Sequence, residues 1–281
     1  MPALKDYILA LVIGLAWGSS YALSKLALYY SSPFVLTEFR VAVGTIFLII
    51  LTRSVKITRH EIISGILNIG AFLILLNLGI EFSPNPSLAA VFVYTEPIFA
   101  LILARIFLNQ RTTILQTFGI VLAFIGVVIA SGLGGFGYGD IFALIGGFIW
   151  AVGTVYFNIH LAGSDPLKEN ASMNLISAIF ALPFISLQPR LILSLMGVFY
   201  LVLVALIAQV LGFWIWFRTV KSLGAVLASS FGLLVPAFSY LFTFLILDEI
   251  PTLFQITGSI ITLVGVFLTY VEKIVKTSRA P

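Results

Sequence analysis

The sequence predicts an all-α integral membrane protein whose ten transmembrane helices form two inverted repeats of five helices each. Three observations support this prediction. The chain of 281 residues is 60% hydrophobic and only 9% charged, whereas soluble domains average about 25% charged residues. Its apolar segments approach the roughly 20 residues that a helix needs to cross a bilayer. Two long stretches of the sequence also match each other at a constant spacing.

The composition excludes several other classes of protein. So few charged residues cannot cover a water-facing surface, and lipid leaves unpaired backbone groups unsatisfied, so bundled helices are expected. A transmembrane β-barrel needs alternating segments of about ten residues, which are shorter than the apolar runs in this chain. Cysteine is absent, which excludes disulfides and thiolate metal sites. Lys and Arg are dispersed among loops, so no nucleic-acid partner is expected.

Polar residues, glycine and proline divide the chain into ten apolar segments. We predict spans near residues 7–28, 33–52, 61–82, 86–108, 112–131, 138–161, 172–188, 191–215, 223–247 and 252–271. The first segment is too long for a signal-peptide core, so we expect it to remain as a span. The seventh and eighth spans are separated around Gln188-Pro189-Arg190. The connections are short, which predicts that consecutive helices are mostly antiparallel neighbours.

Lys and Arg predict the orientation, because they are retained on the cytoplasmic side of a membrane. Ten spans place both termini on one side. With that side in the cytoplasm, twelve of the fifteen Lys and Arg residues lie inside. The other three, which lie outside or toward the outside, are Lys25, Arg40 and Arg190. We therefore predict a multi-pass plasma-membrane protein with cytoplasmic N and C termini.

Residues 87–127 align without gaps on residues 226–266 at an offset of 139. The matched pairs are Pro97 and Pro236, Gln116 and Gln255, Gly119 and Gly258, and Gly126 and Gly265. The polar turn inside the alignment has opposite charge in the two copies, with Arg105 and Arg111 in the first and Asp248 and Glu249 in the second. Reversed charge at the same turn predicts that the halves insert in opposite orientations. Such inverted repeats are typical of secondary transporters.

The domain organisation follows from this repeat. We predict a first five-helix repeat over residues 1–131, a second over residues 138–272 and a cytoplasmic tail over residues 273–281. Five is an odd number of spans, so a duplicated half must enter the membrane the other way up. The matched glycines predict that the last span of each half is a close packing surface or a dimer surface.

Three short motifs point to a known family. They are Ala16-Trp17-Gly18-Ser19-Ser20 in the first span, Ser83-Pro84-Asn85-Pro86-Ser87-Leu88-Ala89-Ala90 at the start of the fourth, and Leu247-Asp248-Glu249 at the end of the ninth. They resemble the EamA-type branch of the drug/metabolite transporter superfamily, although Leu108-Asn109-Gln110 departs from its pattern. The resemblance covers essentially the whole chain. It implies export or exchange of small metabolites, including amino acids, with sugars or drugs carried by some members.

Glu96 is the first candidate functional residue. It lies about ten residues, and hence about 15 Å, into the fourth span, near the middle of a hydrocarbon core about 30 Å thick. A carboxylate there is costly unless it is paired, hydrated or protonated. We therefore consider proton coupling or substrate binding, and with equal weight a structural ion pair with Arg40. A further alternative for Arg40 is to hold a substrate carboxylate by two parallel hydrogen bonds.

Aromatic residues within the spans are the second group of substrate-binding candidates. Trp and Tyr normally gather at the headgroups, whereas copies deeper in a span are expected to line a cavity and stack on an apolar or aromatic substrate. The candidates are Trp17, Tyr21, Tyr94, Trp150 and Trp214. Packing against lipid or other helices is the alternative for each. Trp17 and Trp150 match at an offset of 133, which favours binding for this pair.

Uncharged polar residues are the third group, with Ser20, Asn77 and Asn158 as substrate-binding candidates. An amide both donates and accepts hydrogen bonds, as recognition of a zwitterion requires. The alternative is that such side chains hold helices together, and for the serines this alternative is favoured.

The leading functional hypothesis is a secondary carrier that exports or exchanges a small organic metabolite, such as an amino acid, by alternating access. Alternatives are transport of sugars, amines or drugs by the same fold, a pore, or an intramembrane enzyme. No GxxxxGK[ST] motif supports ATP-driven transport, and no HExxH motif or neighbouring histidine pair supports catalysis, since His60 and His160 are far apart in sequence. We expect a lipid bilayer and a small-molecule substrate as partners, and no cofactor or metal. Proton coupling through Glu96 stays a hypothesis, and both a monomer and a homodimer stay open.

Overall fold

The structure is a computed structural model that describes residues 4–83, 86–109, 113–131, 137–250 and 252–278. Its regular elements are helices. They are α1 (Leu4–Tyr30), α2 (Pro33–Thr52), α3 (Arg59–Gly65), α4 (Ala71–Phe82), α5 (Pro86–Val93), α6 (Glu96–Phe107), α7 (Ile114–Ser131), α8 (Tyr138–His160), α9 (Pro166–Ala181), α10 (Leu195–Val204), α11 (Phe213–Leu223), α12 (Ala225–Gly232), α13 (Leu234–Leu247) and α14 (Leu253–Ser278). Two π-helical segments, Ile66–Gly70 and Ala205–Gly212, join α3 to α4 and α10 to α11, and a 3₁₀ segment, Leu182–Leu187, follows α9.

Seven helical segments are long and apolar enough to cross a membrane. They are Ile8–Tyr30, Pro33–Thr52, Arg59–Phe82, Tyr138–His160, Pro166–Leu187, Leu195–Leu223 and Ala225–Leu247. Shorter apolar stretches, Ile114–Ile129 and Ile256–Gly265, lie in α7 and α14. The chain is therefore a helical membrane protein with several spans, as the composition predicts.

Local signals in the sequence set where several helices begin. Ser32 caps α2 by accepting a hydrogen bond from the Val35 N–H at 3.2 Å, and Asp165 caps α9 by accepting one from the Leu167 N–H at 2.9 Å. A proline follows each cap, at the position where its missing N–H costs nothing. These Ser-Pro and Asp-Pro pairs are 133 residues apart, the offset that also relates Trp17 to Trp150.

Two predicted spans have different bounds in the structure. The seventh begins at Pro166 rather than near residue 172, because the Asp165 cap starts the helix among polar residues. The eighth runs from Leu195 to Leu223 rather than from 191 to 215. Its start is displaced because residues 188–194 are extended and bond to the end of α1, where the Ile192 N–H donates to the Tyr30 carbonyl at 2.6 Å. Its end is set by Gly224, whose φ of 83° ends the helix.

Helices α7 and α14 pack closely through small residues. The Thr262 hydroxyl donates a hydrogen bond to the Ala123 carbonyl at 3.2 Å. A Cβ added at Gly126 would lie 2.5 Å from the Thr262 backbone nitrogen, and one added at Gly265 would overlap the Ala123 nitrogen. Two of the glycines that the repeat matches therefore allow this approach. Close packing through small residues is a common mode of helix association in membranes.

The same glycine contacts show the relative direction of α7 and α14. The Gly258 carbonyl lies 2.7 Å from the Cβ position of Gly126, and the Gly119 carbonyl lies 2.6 Å from that of Gly265. Later residues of α7 thus contact earlier residues of α14, so the two helices are antiparallel. The pairing is reciprocal. The offset of 139 matches Gly119 to Gly258 and Gly126 to Gly265, and in space Gly126 contacts Gly258 while Gly119 contacts Gly265.

Replacing Gly126 with alanine should destabilise the protein by about 1–3 kcal/mol, because the new methyl group has no room against the backbone of α14. Thermal unfolding of the purified protein in detergent would measure the loss. The control is Gly163→Ala, since a Cβ at Gly163 would meet nothing within 4 Å. Equal unfolding temperatures for the two variants would contradict the packing described.

Irregularities in the helices recur at matching places. The π-helical segments begin at Ile66 and Ala205, which are 139 residues apart. Helices α5 and α6 are separated at Tyr94-Thr95, and α12 and α13 at Leu233, again at an offset of 139. Each separation is followed within three residues by one of the matched prolines, which lack the N–H that a continuous helix needs.

Candidate functional site

A cavity lies between helices of the N-terminal and C-terminal halves of the chain. Its lining residues come from α1, α2, α4, α8, α11 and the turn after α5: Trp17, Ser20, Tyr21, Arg40, Phe72, Leu76, Tyr94, Trp150 and Phe213. The free space between these side chains is about that of one water molecule. The site is therefore nearly closed in this conformation.

Two tryptophans, Trp17 and Trp150, form the aromatic wall of this site, and Trp216 packs against both. The ring centroids of Trp17 and Trp150 are 5.3 Å apart with an edge-to-face angle of 75°. Trp216 contacts both rings, at 5.4 Å from Trp17 and 4.7 Å from Trp150. The two tryptophans that match in the sequence therefore meet each other in space. Such offset arrangements are the favoured geometry of aromatic pairs.

Trp17 is held by the second π-helical segment. Its indole Nε1–H donates a hydrogen bond to the Ala208 carbonyl at 3.0 Å. Ala208 lies within Ala205–Gly212, where the wider helical turn changes which carbonyls bond within the helix. Gly212 leaves room for the indole, because a Cβ there would overlap Trp17 Nε1.

Arg40 is the one charged residue in the cavity lining, and it is 2% exposed. Its Nε and Nη1 atoms have no hydrogen-bond partner in the part of the chain that the structure describes. Its electrostatic neighbour is Tyr21 on α1. Arg40 and Glu96 form no ion pair with each other among the described residues. The structural pair considered from the sequence is therefore not formed in this conformation.

Glu96 lies at the start of α6 and is completely buried. Its Oε1 accepts a hydrogen bond from the Ser229 hydroxyl on α12 at 2.8 Å, and the Thr154 hydroxyl on α8 is a second neighbour of the carboxyl group. Partial positive charge at a helix N-terminus favours a carboxylate there. Glu96 does not line the cavity, although Tyr94, two residues earlier, does. Its hydrogen bond to Ser229 instead connects the two halves of the chain.

The other predicted residues divide between the cavity and its surroundings. Ser20 lines the cavity, and its hydroxyl donates to the Trp17 carbonyl at 2.7 Å. Asn77 lies outside the lining and donates to the Thr37 hydroxyl at 2.7 Å. Asn158 accepts from the Ala225 N–H at 3.2 Å, at the first residue of α12. Both asparagines thus bond to neighbouring elements.

Trp214, which the sequence analysis names as a candidate, lies outside the lining as well. Trp216 packs against Trp150 in its place. Residues two apart on a helix project from different faces, so only one of the pair can pack against Trp17 and Trp150. Trp214 is partly buried, whereas Trp216 is completely buried. Sequence reasoning also missed Phe72, Leu76 and Phe213, because nothing distinguishes them from the many apolar residues that face lipid.

The structure also brings together two histidines that are distant in the sequence. The rings of His60 and His160 stack with centroids 4.5 Å apart, and His60 Nδ1 lies 2.9 Å from the Tyr156 hydroxyl. They lie at the start of α3 and the end of α8, away from the cavity. The described ranges contain no group of three or more His, Cys, Asp or Glu side chains that could hold a metal ion.

Comparisons with known proteins agree on the family. A chain from Archaeoglobus fulgidus, described as an uncharacterized transporter, is 28% identical over 94% of this chain and 98% of its own length. A protein of Salmonella typhimurium, described as a probable amino-acid metabolite efflux pump, is 26% identical over 94% of both chains. A solved crystal structure with 18% identity superimposes with a TM-score of 0.80, over 98% of this chain and 99% of that chain, and shows the fold.

The family comparison confirms the resemblance seen in the sequence motifs. The model of the EamA-like transporter family matches twice, at residues 4–132 and 137–271. Together these matches cover nearly the whole chain. The chain therefore belongs to the EamA-like transporter family.

Proposed function

We propose that this protein is a secondary transporter that exports or exchanges small organic metabolites, with amino acids as the first class to test, by alternating access. The observation that carries the proposal is the cavity where Trp17 and Trp150 meet, because helices of both halves build it. Transporters with internal repeats place their substrate at such a junction. The relative described as an amino-acid metabolite efflux pump supports the choice of substrate class.

The proposed architecture is ten spans in two inverted repeats, over residues 1–131 and 138–272, with a cytoplasmic tail over residues 273–281. The antiparallel, reciprocal contact between α7 and α14 supports inversion, because two-fold-related copies of one helix meet in this way. The π-helical segments and the proline-linked separations at an offset of 139 also support it. The charge distribution favours both termini in the cytoplasm and the plasma membrane as the location. The site is built within one chain, so the cycle requires no second copy.

The proposed cycle opens the nearly closed cavity alternately to the two sides of the membrane. A substrate larger than water requires the walls to separate, since little free space remains between the rings. The interrupted helices at Tyr94-Thr95 and Leu233 and the π-helical segments lack regular hydrogen bonding, which lowers the cost of bending there. Movement of one half against the other would then separate Trp17 from Trp150.

Counterflow should distinguish this carrier from a pore. Proteoliposomes loaded with unlabelled phenylalanine or phenylpropionate should transiently accumulate the same labelled compound above its outside concentration, because the carrier returns occupied faster than empty. Vesicles loaded with buffer alone are the control and should reach only equilibrium. Equal fluxes with and without internal substrate, for both compounds, would contradict a carrier mechanism. Protein-free vesicles give the background leak.

A further inference from the structure

The cavity contains a cation without an anion. Arg40 is 2% exposed, yet two of its three guanidinium nitrogens have no acceptor in the described ranges. A buried, unpaired charge in the membrane interior is costly and is normally paired or functional. Because Arg40 lines the cavity, its unsatisfied N–H groups are placed where a ligand would lie.

Among the residues that the structure describes, no carboxylate lines the cavity to neutralise Arg40. Glu96 lies outside the lining and accepts from Ser229. Glu38, on the same helix as Arg40, is two positions away and so projects from another face. The remaining polar groups of the lining are the Ser20 hydroxyl and the phenols of Tyr21 and Tyr94. As far as the chain is described, the lining thus contains one positively charged side chain and no negatively charged one.

The other residues of the lining are suited to contact the apolar part of a ligand. Phe72 stacks on Trp150 with ring centroids 4.8 Å apart, and Phe213 meets Trp17 edge to face at 5.3 Å. Rings of this kind favour flat or branched apolar groups. The free space between the lining side chains is about that of one water molecule in this conformation, so a ligand enters only when these walls separate.

We propose that the cavity binds small apolar or aromatic monocarboxylates, with Arg40 holding the carboxylate and the aromatic wall holding the body. The proposal rests on the transporter function and narrows its substrate class from amino acids, the first class to test, to carboxylates without a free ammonium. A free ammonium on the ligand is not needed and is disfavoured, because the lining offers it no carboxylate. The guanidinium can satisfy both carboxylate oxygens, which an ammonium side chain cannot do with the same geometry.

Three compounds with one phenylethyl body test the proposal on the purified full-length protein. Phenylpropionate carries only the carboxylate, phenylalanine adds an ammonium, and phenethylamine carries only the ammonium. Ligand binding stabilises the folded form, so thermal shift and calorimetry both report it. We expect phenylpropionate to bind at least about tenfold more tightly than phenylalanine, the cost of one unpaired charge, and phenethylamine to give no shift. Binding of either amine as tightly as phenylpropionate would overturn the proposal.

Variants at Arg40 provide the second test. Arg40→Met should weaken phenylpropionate binding by roughly 30-fold or more, because it removes the charged partner of a buried pair. It should also leave the ligand-free unfolding temperature equal or higher, since an unpaired buried charge is lost. A purely structural arginine would instead give a lower unfolding temperature and unchanged affinity. Arg59→Met, at an exposed position at the start of α3, is the matched control.

The outcomes separate this proposal from the transporter function itself. If Arg40→Met does not fold, Arg40→Lys and the three compounds on the unmodified protein still decide the matter. Binding of phenylpropionate without counterflow supports the carboxylate site and contradicts transport. Counterflow of phenylalanine with no binding of phenylpropionate supports transport and overturns the carboxylate site.

Discussion

Replacing Glu96 with glutamine should abolish any coupling of transport to a proton gradient while leaving the protein folded. Glutamine has nearly the same shape, and its side-chain oxygen can still accept the hydrogen bond from Ser229. It cannot take up or release a proton, so a pH gradient should no longer drive uptake. We expect gradient-driven uptake into proteoliposomes to fall by on the order of 100-fold, the scale of losing an essential proton-transfer group.

Asp248→Asn is the matched control for this prediction. Asp248 is exposed, ends α13 and has a φ of 56°, a conformation that asparagine tolerates. This variant makes the same chemical change at the surface and should transport normally. Unchanged uptake with unchanged pH dependence in Glu96→Gln would remove Glu96 from the mechanism. Its buried hydrogen bond to Ser229 would then hold the two halves of the chain together.

Replacing Trp17 with alanine should have the largest effect on both stability and transport. The side chain is 5% exposed, contacts Trp150, Trp216 and Phe213, and donates to the Ala208 carbonyl. Truncating a buried tryptophan typically costs about 3–5 kcal/mol, because the lost contacts leave a cavity. Thermal unfolding should show this loss of stability. Counterflow should disappear because Trp17 is part of the aromatic wall of the proposed binding site.

The control for this variant is Trp214→Ala, since Trp214 is partly buried and lies outside the cavity lining. We expect it to keep counterflow and to lose less stability. Trp17→Phe adds a finer comparison, because it keeps one aromatic ring but removes the hydrogen bond to Ala208, worth about 0.5–1.5 kcal/mol, and part of the packed ring volume. Loss of counterflow in Trp214→Ala with normal counterflow in Trp17→Ala would contradict the placement of Trp17 in the proposed binding site.

Much of the cavity could be predicted from the sequence because repeats carry positional information. The offset of 133 relates Trp17 to Trp150 in the sequence, and both line the cavity together with Tyr21 and Tyr94. Asn77, Asn158 and Trp214 could not be placed in the same way. They lie at helical positions whose orientation depends on the neighbouring helices, and the structure directs them away from the cavity.

The sequence alone determined that the chain is a helical membrane protein with matching halves, because apolar length and internal spacing are properties of the chain itself. Only the tertiary structure decided that Trp216 rather than Trp214 meets Trp17, that Arg40 is not paired with Glu96, and that π-helical turns recur at matching places. The physical reason is the solvent. In water, polarity distinguishes the outer face of a helix from its inner face, whereas in lipid both faces are apolar and only packing distinguishes them.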